Sequence, residues 1–289
     1  MELKKIFICG KKSEICCEDG YVFCDDFAAV VDGVTSKSEK LFRGKTPGKI
    51  GMEVVCREIP LLEKDISFKE AAKKLSLALI KERQLMAAEQ ELTRLDYPRA
   101  CAAIYSKHRR EIWLIGDCQC MVNGKLFTNT KEIDGLLACL RSFVLECEKI
   151  HGKTEADFES EDPGRLAILP FLKNQLEFEN KEGPFGYPVL NGEDVPAEKI
   201  LVIPVPEGSL VTLATDGYPK LYESLEECES ALEEILAGDP LCYKDNVQTK
   251  GLLKGNDSFD DRCFLQFTTY IRQPHKQTTT STGGTICSD

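Results

Sequence analysis

Two helical stretches in direct succession, set between groups of short hairpin strands, limit the fold of this chain more than any other feature. "GKIGMEVVCREIPLLEKDI" (48–66) and "SFKEAAKKLSLALIKERQLMAAEQELTRLD" (67–96) both carry apolar residues at three- and four-residue spacing. Ser67 with Glu70 forms a capping box that starts the second. Before them, residues 4–9 and 21–31 are rich in Val, Ile, Phe and Tyr and read as strands with a hairpin-like start. After them, "ACAAIYSKHRREIWLIGDCQCMVNGKLF" (100–127) alternates apolar strands with the turns "KHRRE" and "NGK". Residues 132–150 read as a helix, 199–217 as strands, 224–238 as a helix, and "DRCFLQFTTYI" as a closing strand. Helices grouped between antiparallel hairpins fit an α+β layered sandwich better than a doubly wound parallel sheet, which needs a crossover helix between successive strands.

The segment 151–198 is rich in Gly, Pro and acidic residues with short apolar runs, and reads as an irregular insertion or lid within one domain spanning 1–272. The polar tail 273–289 is expected to be disordered. A net charge of −11 argues against nucleic-acid binding, which needs a basic footprint. No apolar run is long enough to cross a membrane as a helix. The opening "MELKKIFICGKK" is too poor in apolar residues for a signal-peptide core, so a cytoplasmic, monomeric protein is expected. The 14 cysteines are scattered, without paired C-x-x-C units, and read as reduced thiols and small core residues rather than as a zinc site.

Chemistry enters through carboxylates at strand ends. "FAAVVDGV" ends an apolar run in Asp32-Gly33, "LVTLATDGY" ends another in Asp216-Gly217, "IWLIGDCQ" places Asp117 after a third, and "GNDSFDDRCFL" puts Asp260-Asp261 before a fourth. A single Asp-Gly after a strand is commonly only a turn. Four acids in equivalent positions are another matter, because carboxylates gathered from separate strands repel one another and lose hydration unless a positive charge sits among them. A divalent cation meets that need. Oxygen-only ligands favour Mg²⁺ or Mn²⁺, and His108, His151 and His275 all lie away from these motifs.

These motifs, in this order, resemble the metal-dependent protein phosphatases of type 2C. "EDGYVF" is similar to that family's early acidic motif, "AAVVDGV" to its Asp-Gly metal motif, and "PRACAAIY" to the strand after its long helices. "WLIGDCQ" resembles its Gly-Asp-Ser-Arg strand, "LATDGY" its second Asp-Gly, and "DDRCFL" its closing Asp-Asp/Asn-x-Thr strand. The resemblance implies a four-layer αββα sandwich, two antiparallel β-sheets flanked by helix pairs. It also implies hydrolysis of phosphoserine or phosphothreonine in a phosphoprotein substrate, with Mg²⁺ or Mn²⁺ as cofactor: two ions and a looser third. Asp32, Asp216 and Asp260 are then the catalytic acids. Asp32 would bridge two ions, the Gly33 carbonyl would ligate one, and Asp216 with Asp260 the other. Glu18 or Asp19 would act through metal-bound water, Asp117 would hold the third ion, and Asp261 belongs to the same acidic set.

Several positions depart from the family pattern. Val34 stands where many members carry a histidine that protonates the leaving group, Lys220 where an acid often follows the second Asp-Gly, Cys118-Gln119 for Ser-Arg, and Cys263 for Thr. The arginine expected before the early acidic motif has no direct counterpart, and Lys12 and Arg43 are the basic residues considered for its role in gripping phosphate. Two other readings compete: a pseudophosphatase that keeps the fold as a binding module, and a phosphatase of small phosphorylated metabolites. The clustered acids at 32, 216 and 260 favour activity over a pure scaffold.

Overall fold

The computed structural model describes residues 1–270; the tail 273–289 lies outside the described residues, as does the very end of the expected domain. Within it the chain runs β1 (Glu2–Cys9), β2 (Asp19–Phe23), β3 (Phe27–Gly33), α1 (Pro47–Glu58), α2 (Phe68–Glu89), β4 (Ala100–Ser106), β5 (Glu111–Ile115), β6 (Gln119–Val122) and β7 (Lys125–Thr128). It continues through α3 (Glu132–Ile150), α4 (Glu155–Ser160), α5 (Pro163–Asn174), β8 (Leu201–Pro204), β9 (Leu210–Ala214), α6 (Leu225–Gly238) and β10 (Arg262–Thr268). The described strands form two five-stranded sheets, β1-β10-β9-β6-β7 and β2-β3-β4-β5-β8, and all their pairings are antiparallel. The α+β sandwich expected from the sequence is the fold observed.

Alternation along the strands builds the layers, since successive side chains point to opposite faces. Ala28 and Val30 of β3, Cys101, Ala103 and Tyr105 of β4, and Cys263, Leu265 and Phe267 of β10 share one buried cluster between the sheets. Their neighbours Ala29, Val31, Ala102 and Ile104 face the other way, onto α1 and α2. Phe264, Ala214 and Met121 cover the outer face of the first sheet against Leu225 and Cys228 of α6. The helices α3 and α5 pack on each other through Leu137, Ile168 and Leu172.

Two details differ from the sequence reading. Residues 4–9 do not pair with 21–31: β1 joins β10 in the other sheet, and 21–31 divides at Asp25-Asp26 into the β2–β3 hairpin. The acidic pair makes a turn inside what reads as one apolar run. The segment 151–198 contains α4 and α5 rather than wholly irregular chain. Pro163 occupies the first turn of α5 and the Asp162 side chain accepts from the Arg165 amide, so residues that look like loop composition are the helix start.

Candidate active site

The inter-sheet face of β3 runs 28, 30, 32, so the step that buries Ala28 and Val30 brings the Asp32 carboxylate out at the end of the space between the sheets. Asp19 is its cross-strand partner on β2, and Cys101 its partner on β4. Asp216 lies just past β9 and Asp117 just past β5, both at the same end. Carboxylate oxygens of Asp32, Asp117 and Asp216 lie within 4.8 Å of one another. Asp32, Asp117, Asp216 and Asp260 line a cavity of about 490 Å³, whose far side is formed by α3, Arg165 of α5 and residues 247–250. Among the described residues, no His lines this cavity.

The two Asp-Gly pairs are not left-handed turns. Neither Gly33 nor Gly217 has positive φ. A Cβ at Gly33 would lie 2.2 Å from the Gly48 carbonyl oxygen, and one at Gly217 would lie 2.0 Å from that of Asp261. Each glycine therefore permits close backbone contact beside its aspartate, of α1 in one case and of the chain entering β10 in the other. Gly116, before Asp117, does need positive φ (87°), and a Cβ there would strike Cys101.

Supporting groups hold the acids. Asp19 is buried and accepts from the Thr215 hydroxyl at 2.6 Å. Glu18 is buried and accepts from the hydroxyls of Thr35 (2.7 Å) and Thr46. Asp261 accepts from the backbone amides of Lys11 (2.7 Å) and Glu18 (3.0 Å), which makes it a brace for the loop before β2. The Gln119 side chain donates to the carbonyls of Thr215 and Tyr218, fixing the turn that carries Asp216.

Three lysines that carry no motif in the sequence meet the acids here. Lys131 Nζ lies 2.5 Å from Asp117 Oδ2. Lys11 lies 3.1 Å from Asp260, whose other oxygen pairs with Lys250. Lys12 and Arg43, the candidates for gripping phosphate, are not among the cavity residues; Arg43 pairs with Glu82 and Glu89 of α2. The basic residue of the first loop that meets the acids is Lys11, itself not among the cavity residues, because the backbone after β1 turns its amide and ammonium together onto Asp260 and Asp261.

Protonation follows from these surroundings. Burial, then the charges of Asp216, Asp19 and Asp117, raise the Asp32 carboxyl well above its ordinary value. Asp216 is exposed to the open cavity, yet desolvation by the protein crowded around it, then the charges of Asp260 and Asp117, push it up to about 7. For Asp260 burial acts upward, but Lys250 and Lys11 outweigh it and bring the group down to about 2. Burial raises the thiols of Cys101, Cys118 and Cys263, which keeps them protonated and unsuited to nucleophilic attack.

A carboxyl raised in the folded chain binds its proton there at pH values where the unfolded chain has lost it, so stability falls as pH rises through that window. For Asp216 the window runs from the ordinary carboxylate range to about 7. The chelated protein is therefore expected to have a lower urea midpoint at pH 7 than at pH 5, and Mn²⁺ is expected to raise the midpoint more at pH 7. A midpoint that climbs from pH 5 to pH 7 in EDTA would contradict this account of the cluster.

A cation fits this corner on two grounds: its donors are all oxygen, and Asp117 Oδ1 is buried without a hydrogen-bond partner. The Asp260 corner differs, since both its oxygens already face ammonium groups.

No family model matches the chain, and no curated protein matches it in sequence. Solved structures are similar to it in outline. The catalytic domain of the serine/threonine protein phosphatase PstP, in complex with two manganese ions, is 13% identical, with 93% of this chain and 99% of that one covered and a TM-score of 0.47. The serine/threonine phosphatase Stp1 from Staphylococcus aureus is 12% identical, with 94% and 98% covered and a TM-score of 0.47. RsbX in complex with magnesium is 12% identical, with 91% and 92% covered and a TM-score of 0.43.

Proposed function

We propose that this chain is a Mg²⁺- or Mn²⁺-dependent phosphoric monoester hydrolase of the type 2C kind, acting on phosphoserine or phosphothreonine in proteins. The observation that carries this reading is the convergence of Asp32, Asp117 and Asp216 at one end of the sandwich, with their oxygens within 4.8 Å and a buried Asp117 oxygen unpartnered. Asp32 and Asp216, with the Gly33 carbonyl, are the ligands the motifs imply, and Asp117 completes the corner. When bound, the divalent ion supplies Lewis acidity and acidifies water for attack on phosphorus.

The chain's own residues set the rest. Lys131 holds one Asp117 oxygen and leaves the other free, while Thr215 orients Asp19 behind Asp32. Val34 lines the cavity where a proton donor would stand in a histidine-bearing member, so it offers no proton to the departing oxygen. With the thiols protonated, none of these cysteines is suited to form a covalent phospho-enzyme.

A second reading, a weak or inactive relative that keeps the fold for binding, is favoured by the two ammonium groups on Asp260, which offset its charge without any ion. Hydrolysis of an aryl phosphate separates the two readings. Activity is expected to vanish in EDTA and to return with Mn²⁺ or Mg²⁺ better than with Ca²⁺, because the smaller ions hold the tighter octahedral geometry. Full turnover after exhaustive chelation would eliminate the metal-dependent reading. Calorimetry showing no Mn²⁺ binding, together with no turnover, would favour the binding module.

A further inference from the structure

Among the charged groups around the cavity are four cations: Lys37, Lys131, Arg165 and Lys250. Two are accounted for, Lys131 by Asp117 and Lys250 by Asp260. The other two have no carboxylate within ion-pair distance among the described residues. Lys37 donates to the Thr35 carbonyl at 2.7 Å, and the Arg165 guanidinium donates to the Thr249 carbonyl at 2.8 Å. Acids outnumber bases 48 to 37 in this chain, so two half-buried cations without acidic partners at one cavity need an explanation. Burying an unpaired charge is costly, and an anion arriving between them removes that cost.

Their placement points to which anion. Both groups line the same cavity as Asp260 and sense its charge, so an anion held between them would lie within electrostatic reach of the carboxylates. Burial, then the neighbouring charges of Arg165 and Lys250, bring the Lys37 amine down to about 7, the behaviour of a cation waiting for a counter-charge. Arg165 offers a planar fork suited to two oxygens of one phosphate, and Lys37 a single compact charge suited to a third. Lys37 sits on the loop after β3 and Arg165 in the first turn of α5, and Arg165 is itself tied to the 247–250 loop through Thr249. The grip thus closes across two separate parts of the chain.

We propose that Lys37 and Arg165 bind the phosphate group of the substrate, a role that rests on the hydrolase reading for its substrate but on the two unpaired cations for its location. The test uses Lys37→Met, Arg165→Gln, the conservative Lys37→Arg and Arg165→Lys, and Lys173→Met on the exposed end of α5 as control. For each, KM and kcat for an aryl phosphate are measured with Mn²⁺, and binding of inorganic phosphate is measured by calorimetry with Mn²⁺ and with EDTA. Lys37→Met and Arg165→Gln are each expected to weaken phosphate binding and raise KM by roughly tenfold or more, the scale of one charge-assisted hydrogen bond. Mn²⁺ affinity and kcat should change less, the conservative variants should recover part of the loss, and the control should match the parent.

Phosphate that binds the parent and is lost in the variants supports the grip even if no hydrolysis is seen, in which case only the hydrolase reading fails. Hydrolysis with KM and phosphate affinity within about twofold of the parent in both variants would overturn the grip and leave the hydrolase reading intact. Failure of the parent to bind phosphate in either condition would overturn it as well.

Discussion

Asp32→Asn is expected to lower aryl phosphate hydrolysis by at least about 10²-fold, the scale seen when one electrostatic contributor to a transition state is removed, while leaving the chelated protein as stable as the parent or more so. The two effects share one cause. Asp32 lies with Asp216, Asp19 and Asp117 around it, and burial, then the mutual repulsion, raises its carboxyl. An amide of the same shape relieves that repulsion in the absence of a cation, yet it removes a charged oxygen from the corner where the cation would sit. Circular dichroism and urea unfolding in EDTA check the first half, and Mn²⁺ calorimetry with kcat/KM checks the second. Near-parental activity would remove Asp32 from the chemistry. A large loss of stability in EDTA would mean that the carboxylate holds the fold and that repulsion is not its main interaction.

Arg141→Met should cost about 3–5 kcal/mol, the range for breaking a buried ion pair by deleting one partner. The Arg141 guanidinium is fully buried on α3. It pairs with Asp162, the cap of α5, at 2.7 Å and donates to the carbonyls of Leu241, Cys242 and Gln248. Methionine fills similar space but takes the guanidinium's charge and hydrogen bonds away from the Asp162 carboxylate and the Leu241, Cys242 and Gln248 carbonyls, of which Asp162 keeps the Arg165 amide and Cys242 the Gln248 amide. Gly164 lets α5 approach here, since a Cβ there would lie 2.7 Å from Arg141 Cγ. For a chain of this size the expected fall in Tm is on the order of 10 °C. Hydrogen exchange should rise first in α5 and residues 239–250, while the β3–β4 core keeps its protection. A cost below about 1 kcal/mol would show that water replaces the guanidinium and that this wall is held by its apolar contacts.

Much of this architecture is legible from local pattern. The boundaries of α3 and α6 follow from periodicity, and the Ser67–Glu70 box marks α2 within a residue. The pairing of β1 with β10 is not legible, because it joins the two ends of the described chain and no short-range signal encodes it. The same divide runs through the site. Asp32, Asp117, Asp216 and Asp260 are visible because each interrupts an apolar strand pattern. Lys11, Lys131 and Lys250 are not, because each sits in a polar stretch where lysine is unremarked and only tertiary folding supplies its partner. Arg141 left a trace that could have been followed: it shares one helical stripe with Leu137 and Leu145, where a charge needs a buried partner.

The antiparallel register of β2, β3 and β4 turns placement of the acids into a matter of counting. An added residue in the turn at 24–26 can be taken up as a longer loop. An added residue inside β3, between Phe27 and Asp32, would instead rotate everything after it by half a turn, sending the carboxylate toward α1 and an aliphatic side chain into the gap between the sheets. The strand therefore behaves as a reading frame: its individual letters can change among small and β-branched types at modest cost, whereas its length cannot change at all without silencing the site.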